Sequence, residues 1–393
     1  MLSFFILLMV QWNFSGGDSG SIKVPIDHLN PNSKRIEIHY TFDNDYIEER
    51  KTVFVLDDPL DGIFRTFHIS DQVKENFNVV RIEGRHQLQT LKDDVISSNK
   101  IDWKKAYQVY NQNQIASDIE LIRAKLLGEK EVILIGHSSS ASTFIFYTSR
   151  YPIKVSQVIC LSPLIFDIQR NLRFDRSLLR IEDIDSTLSQ NQEVNFNFYS
   201  TYDFLNGTPE VRKSALQSAI LHFKYNHYLL PGFSNILDDD IGLKVRMFEH
   251  SYAYVDQNDN SQIEPNSIRE WLYENSKDLW DEHTTQNFDV HGVHYDKGDK
   301  YLGNIFILGG AFDLLINSNS YEILAEFFRH STLLLLKDGH SLNTIRGEGL
   351  LDHLILAIME NDFENKVEAL DALHKKELVF IKKTPPLKKK KYW

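Results

Sequence analysis

Short apolar runs rich in β-branched residues recur along the chain at 35–40, Thr52–Leu56, Asn78–Ile82, 131–135, 156–161, 304–308 and 332–336. Several lack the strict alternation of a strand with one wet face, as expected for strands covered by helices on both sides. Between them lie stretches with apolar residues at helical spacing, over 115–126, 141–149, 321–328 and 349–359. Strands alternating with helices predict an α/β fold built on a doubly wound, mostly parallel sheet. From 166 to 298 this rhythm stops. The sequence there is polar and aromatic, with helical pieces at 210–228 and 267–280, and the alternation then resumes as though uninterrupted. The interruption reads as a helical cap inserted into one core, whose two parts span 21–165 and 299–374.

The two ends differ from the body. Residues 2–10 are apolar but too few to span a bilayer, so 1–20 reads as a signal peptide and predicts an exported protein, periplasmic or secreted. Residues 375–393 hold eight lysines against one glutamate, with Pro385 and Pro386 before a run of four lysines. This predicts an exposed basic tail capable of weak contact with an anionic surface.

Composition then narrows the function classes. With 42% hydrophobic and 25% charged residues the chain can bury a large core. Its only cysteine, Cys160, excludes an internal disulfide framework and a zinc site of several thiolates. A net charge of −12 argues against nucleic acid as a partner. His283, His291 and His294 lack the spacing of a metal site, and the stretch from Asp256 to Asn260 lacks the glycine and closing glutamate of a calcium loop. Neither stretch is expected to hold a metal.

The strongest chemical signal is the buried run 131–135 followed by Gly136-His137-Ser138-Ser139-Ser140 and a helix. A sharp strand-to-helix turn of this type exposes a serine hydroxyl, and small neighbours let the backbone pass closely. A serine needs a base, and the base needs an orienting acid. After the strand at 304–308 comes Gly309-Gly310-Ala311-Phe312-Asp313, and after the strand at 332–336 comes Lys337-Asp338-Gly339-His340. The order Ser138, Asp313, His340 puts all three at the C-terminal ends of predicted strands, where open α/β sheets carry their sites.

The chain resembles α/β-hydrolases of the proline iminopeptidase and tripeptidyl aminopeptidase family over nearly all of both core segments. The likeness rests on Val24-Pro25-Ile26-Asp27-His28-Leu29-Asn30-Pro31, on the stretch from Ala116 through Asp118 and Arg123, on Gly136-His137-Ser138 and Tyr147 to Pro152, and on Gly310 to Asp313 with Gly339-His340. The resemblance implies an α/β-hydrolase fold, Ser138 as nucleophile, His340 as general base and Asp313 as its partner. It implies an aminopeptidase that releases residues from the free N-terminus of short peptides through an acyl-enzyme, without metal or organic cofactor. Glu249 is similar to a family glutamate that binds the substrate's amino group, with 238–240 as an alternative. An esterase on the same residues, or a largely inactive binding protein of this fold, are the other readings.

Two segments depart from the family pattern. Where the family has a glycine-rich oxyanion loop, this chain has Asp57-Asp58-Pro59-Leu60-Asp61-Gly62, so the expected oxyanion donors are the backbone N–H groups of Asp58 and Ser139. A carboxylate about 4 Å from an oxyanion costs roughly 4 kcal/mol at an effective dielectric near 20. Asp58 is therefore expected to turn toward water, where it does little harm. The second departure, Glu83-Gly84-Arg85-His86-Gln87-Leu88, lacks two glycines and implies a reshaped pocket wall, with Arg85 keeping a buried ion pair.

Overall fold

The computed structural model describes residues 19–60, 69–164, 240–252, 268–290, 300–313, 316 and 318–380. Among the described residues nine strands form one sheet: β1 (Ser19–Pro25), β2 (Arg35–Phe42), β3 (Thr52–Leu56), β4 (Asn78–Ile82), β5 (Val132–His137), β6 (Val155–Leu161), β7 (Asn304–Gly310), β8 (Ser331–Leu336) and β9 (Val379–Phe380). Their spatial order is β1-β2-β4-β3-β5-β6-β7-β8-β9. The run from β4 to β8 is parallel, and only the edge pairings β1 with β2, β2 with β4, and β8 with β9 are antiparallel.

The central strands are buried on both faces because their side chains alternate between two apolar layers. Phe54, Leu134, Val158 and Cys160 point into one cluster, shared with the Gln112–Leu127 and Ser138–Arg150 helices. Val53, Val55, Ile133, Ile135, Ile159 and Leu161 point into the other, shared with the Leu350–Glu360 and Phe363–Lys375 helices. A strand between two such layers needs no polar face, and this explains the unbroken apolar runs. The chain adds β4 on one side of β3 and β5 on the other. That reversal opens a crevice at the C-terminal ends of the strands beside β3 and β5.

Three boundaries shift from expectation. β1 and its pairing with β2 were not predicted, because Ser-Gly-Ser-Ile-Lys-Val-Pro at a sheet edge carries only two aliphatic residues before its proline. Ser19 and Gly20 already belong to this strand, so the boundary at 20 overlaps it, and the rest of the predicted signal segment lies outside the described residues. At the other end Val379 and Phe380 pair with Leu336 and Leu335, which places part of 375–393 in the sheet; residues 381–393 lie outside the described set. Helices at Ile241–Tyr252, Ile268–Asn275 and Lys277–Gln286 fall within the interval 166–298 expected to form a helical cap. The single helical piece expected at 267–280 is two helices meeting at Ser276, whose hydroxyl donates to the Leu272 carbonyl at 2.7 Å. The piece at 210–228, the residues 256–260, and His291 and His294 lie outside the described residues. Among the described residues no helix is long and apolar enough to cross a membrane.

Buried polar groups tie the first strands to the core. Arg85, 2% exposed, forms a two-pronged pair with Asp118, Nε to Oδ2 at 2.6 Å and Nη2 to Oδ1 at 2.9 Å. Its remaining donors reach the carbonyls of Pro25, Ile26 and Val109, and His28 Nε2 sits 2.7 Å from Asp118 Oδ1. One guanidinium thus joins the segment after β1, the 3-10 turn after β4 and the Gln112–Leu127 helix.

Candidate active site

β5 passes directly into the Ser138–Arg150 helix, and Ser138 takes up the turn with φ of 50°. This left-handed conformation costs a residue with a side chain about 1–3 kcal/mol and persists only where neighbours enforce it. Here they do. Ser140 Oγ accepts the His137 N–H at 2.9 Å and donates to the His137 carbonyl at 2.8 Å, while the Ser138 carbonyl accepts the Leu164 N–H at 3.0 Å. The serine at the position where a second glycine is usual therefore braces the turn through its hydroxyl. Gly136 has no such latitude, because a Cβ there would lie 2.6 Å from the Ala141 nitrogen. Gly136→Val is expected to push the helix start off β5 and lower turnover by about 100-fold, the scale of an ångström's misplacement at a reacting group. Steady-state kinetics of the folded variant checks this; unchanged kcat would contradict it.

Asp313 and His340 stand on the loops after the adjacent strands β7 and β8. The two loops are stitched together: Ala311 N–H donates to the Leu336 carbonyl at 2.7 Å and Phe312 N–H to the Asp338 carbonyl at 3.0 Å. A side chain at Gly310 would run into the Gly339 carbonyl, so glycine there permits the close approach. The result brings three distant residues into one chain of hydrogen bonds. His340 Nδ1 lies 2.7 Å from Asp313 Oδ2, and His340 Nε2 lies 2.9 Å from Ser138 Oγ. With Asp313 accepting at Nδ1, the lone pair of Nε2 faces the hydroxyl. The imidazole is therefore placed to take that proton, with a carboxylate behind it to stabilise the imidazolium.

Supporting groups fix this geometry, and the sequence reading did not identify them. Tyr321 donates its hydroxyl to Asp313 Oδ2, and the Ile316 N–H donates to Oδ1 at 3.0 Å. Asp338 holds the His340 turn by accepting the Gly339 and Ile345 N–H groups at 2.8 and 2.9 Å. Burial nevertheless raises its carboxyl above the ordinary value. His137 Nε2 lies 3.2 Å from the His340 carbonyl. Burial first, then the neighbouring His340, lowers its basicity, so it stays neutral and can donate there.

A second polar cluster lies next to Ser138 and centres on Arg246 of the Ile241–Tyr252 helix. Asp58 is 1% exposed, which overturns the expectation that it faces water. Its Oδ1 accepts the Leu60 N–H at 3.0 Å and its Oδ2 lies 3.4 Å from Arg246 Nε. A buried carboxylate is tolerated here because a guanidinium is beside it. Arg246 Nη1 also donates to Glu249 Oε2 at 2.6 Å, and Nη2 donates to Ser139 Oγ at 3.0 Å and Thr143 Oγ1 at 3.1 Å. Glu249 Oε1 accepts the Gln112 N–H at 2.9 Å, so both oxygens of this carboxylate are engaged inside the protein. Burial pushes its carboxyl up to about 7 against the downward pull of Arg246 and the Gln112 N–H. Ser139 Oγ meets His250 Nε2 at 3.1 Å, and burial, then Arg246, holds His250 well below the usual histidine range. Arg246, Glu249 and His250 are spaced i, i+3, i+4, the one sequence signal that could have marked them as sharing a helix face.

Solved structures match the chain at low identity and at TM-scores of 0.45 or below. A Mycobacterium tuberculosis protein is 11% identical with a TM-score of 0.45, the match covering 87% of this chain and 99% of that one. A Bacillus megaterium epoxide hydrolase is 15% identical at a TM-score of 0.40, covering 87% and 99%. An enol-lactonase from Burkholderia xenovorans is 11% identical at 0.40, covering 82% and 96%. Likeness at this level carries nothing about substrate. No curated protein matches the chain significantly. The sequence profile of the alpha/beta hydrolase fold matches residues 96–344, well over half of the chain and inclusive of Ser138, Asp313 and His340, and the chain therefore belongs to the α/β-hydrolase family.

Proposed function

We propose that the protein is a serine hydrolase in which Ser138 attacks an acyl carbon, His340 takes and returns the proton, and Asp313 orients and stabilises the imidazolium. The observation that carries this reading is the hydrogen-bond chain from Asp313 through His340 to Ser138 at a strained strand-to-helix turn. Attack by Ser138 Oγ gives a tetrahedral intermediate whose oxyanion takes backbone N–H groups of Ser139 and Asp58. Collapse expels the leaving group, protonated by His340, and water then releases the acyl group by the same proton path.

Two substrate classes fit that chemistry. The sequence resemblance points to short peptides with a free N-terminus, bound through Glu249. The engagement of Glu249 with Arg246 and Gln112 favours the other, a small carboxylic ester, because a buried carboxylate already balanced by a guanidinium 2.6 Å away has little charge left for an ammonium group. A fluorophosphonate label on Ser138 tests the hydrolase, and absence of label on folded protein would leave a binding protein. A panel of p-nitrophenyl esters, free peptides and acetylated peptides separates the substrates. Esters are expected to react fastest, with acetylation changing peptide rates by less than tenfold. A larger preference for the free N-terminus, worth more than about 1.4 kcal/mol of transition-state binding, would restore the aminopeptidase reading.

A further inference from the structure

We propose that Arg246 is a positioning residue for the oxyanion side of the site: its guanidinium is the counter-ion that allows the Asp57-Asp58 loop to serve a transition state that is itself negative. The inference rests on the hydrolase reading of Ser138. It explains how an acidic residue can occupy a loop that faces developing negative charge.

The placement comes from the sheet. β3 pairs with β5 in parallel, Val53 opposite Ile133 and Phe54 opposite Leu134. Carried beyond the strand ends, that register sets Asp58 level with Ser138. Asp58 is buried there, so water cannot screen its charge from a neighbouring oxyanion. Arg246, 1% exposed on its side chain, is the cation that faces it, with Nε 3.4 Å from Oδ2. The Leu60 N–H holds the other carboxylate oxygen by a hydrogen bond, which leaves Oδ2 turned toward the guanidinium.

The same guanidinium orients the second expected donor. Arg246 Nη2 donates to Ser139 Oγ, which leaves the hydroxyl proton of Ser139 for the neutral His250 Nε2 on the same helix face as Arg246. The Ser139 side chain is thereby drawn toward the Ile241–Tyr252 helix. Its backbone N–H belongs to the first turn of the Ser138–Arg150 helix, the end of a helix whose dipole favours negative charge. One residue thus touches both loops expected to supply oxyanion N–H groups, neutralising the first and orienting the second.

A purely structural Arg246 would anchor its helix without affecting charge at the reaction centre, and rescue by a second substitution separates the two roles. The measurement is the second-order rate of Ser138 labelling by a fluorophosphonate, whose phosphonyl oxygen gains negative charge as the bond forms, with thermal unfolding run in parallel. The paired variant Arg246→Met with Glu249→Gln removes a buried pair together and leaves Asp58 uncompensated. It is expected to label about 100-fold more slowly, the scale of losing one oxyanion donor, and adding Asp58→Asn is expected to recover at least about tenfold of that loss. No recovery on adding Asp58→Asn, or a paired variant that labels at the parent rate, would overturn the proposal. Should the paired variant not fold, Arg246→Lys decides the matter. It keeps the charge and is expected to label within about tenfold of the parent, and a folded Lys variant slower by 100-fold or more counts against charge compensation. Folded wild-type protein that takes no label at Ser138 would sink the hydrolase reading itself, whereas a labelled wild type without rescue would sink only the role of Arg246.

Discussion

Alanine at position 138 is expected to lower hydrolysis by about four to six orders of magnitude and to abolish covalent labelling. His340 Nε2 meets the Ser138 hydroxyl at 2.9 Å, so this is the oxygen placed to pass its proton to the base. Ser139→Ala and Ser140→Ala are expected to leave a measurable fraction for different reasons. Ser139 directs its hydroxyl to Arg246 and His250, away from the reacting chain. Ser140 braces the turn through His137. Asp313→Asn should cost about 10⁴-fold, since an amide leaves His340 without the acceptor that sets its tautomer. Steady-state turnover of the four variants, with circular dichroism to confirm folding, checks the set. Retention of more than a hundredth of the parent rate by Ser138→Ala would move the nucleophile elsewhere.

Asp118→Ala is expected to destabilise the fold by about 3–5 kcal/mol, the range for stripping one partner from a buried ion pair. The Arg85 side chain is 1% exposed and that of Asp118 4%, so solvent does not replace the lost carboxylate. The loss is compounded because Arg85 also holds the carbonyls of Pro25, Ile26 and Val109, and His28 loses its contact as well. Arg85→Met combined with Asp118→Leu removes both charges and is expected to recover part of the stability, although the three carbonyls stay unsatisfied. Urea unfolding curves measure both effects. A change below 1 kcal/mol for Asp118→Ala would mean that the pair is not a tether of the β1 segment.

The sequence made the strand-to-helix turn at Ser138 legible because its determinants are local: a buried strand, Gly136, small residues and a helix within a dozen positions. The strands from β3 to β8 were legible for a similar reason, since burial on both faces leaves continuous apolar runs. Ser19–Pro25 was not, because an edge strand draws its stability from backbone pairing and needs few apolar side chains. The fate of Asp58 was misjudged for a deeper reason. A buried carboxylate without a partner is costly, so a reading limited to its own loop turns it outward. Its partner is Arg246, supplied by a helix far along the chain, and nothing local to Asp57-Asp58 announces it. Glu249 illustrates the same point from the other side: resemblance singles out the carboxylate, but only the fold shows Arg246 and Gln112 already bound to it.

The ion network that joins the loop after β3 to the Ile241–Tyr252 helix also restricts how this molecule could be recombined with its relatives. Grafting that helix onto a core whose loop is made of glycines would bury Arg246 with one carboxylate fewer to balance it. Keeping this core under a foreign helix without the arginine would leave Asp58 buried with no cation facing it. The core half therefore depends on the helix, whereas the helix already sets Glu249 against Arg246. A viable chimera must exchange Asp58, Arg246 and Glu249 as a unit, so the boundary for any segment swap in this protein is set by charge balance as well as by where the sheet is interrupted.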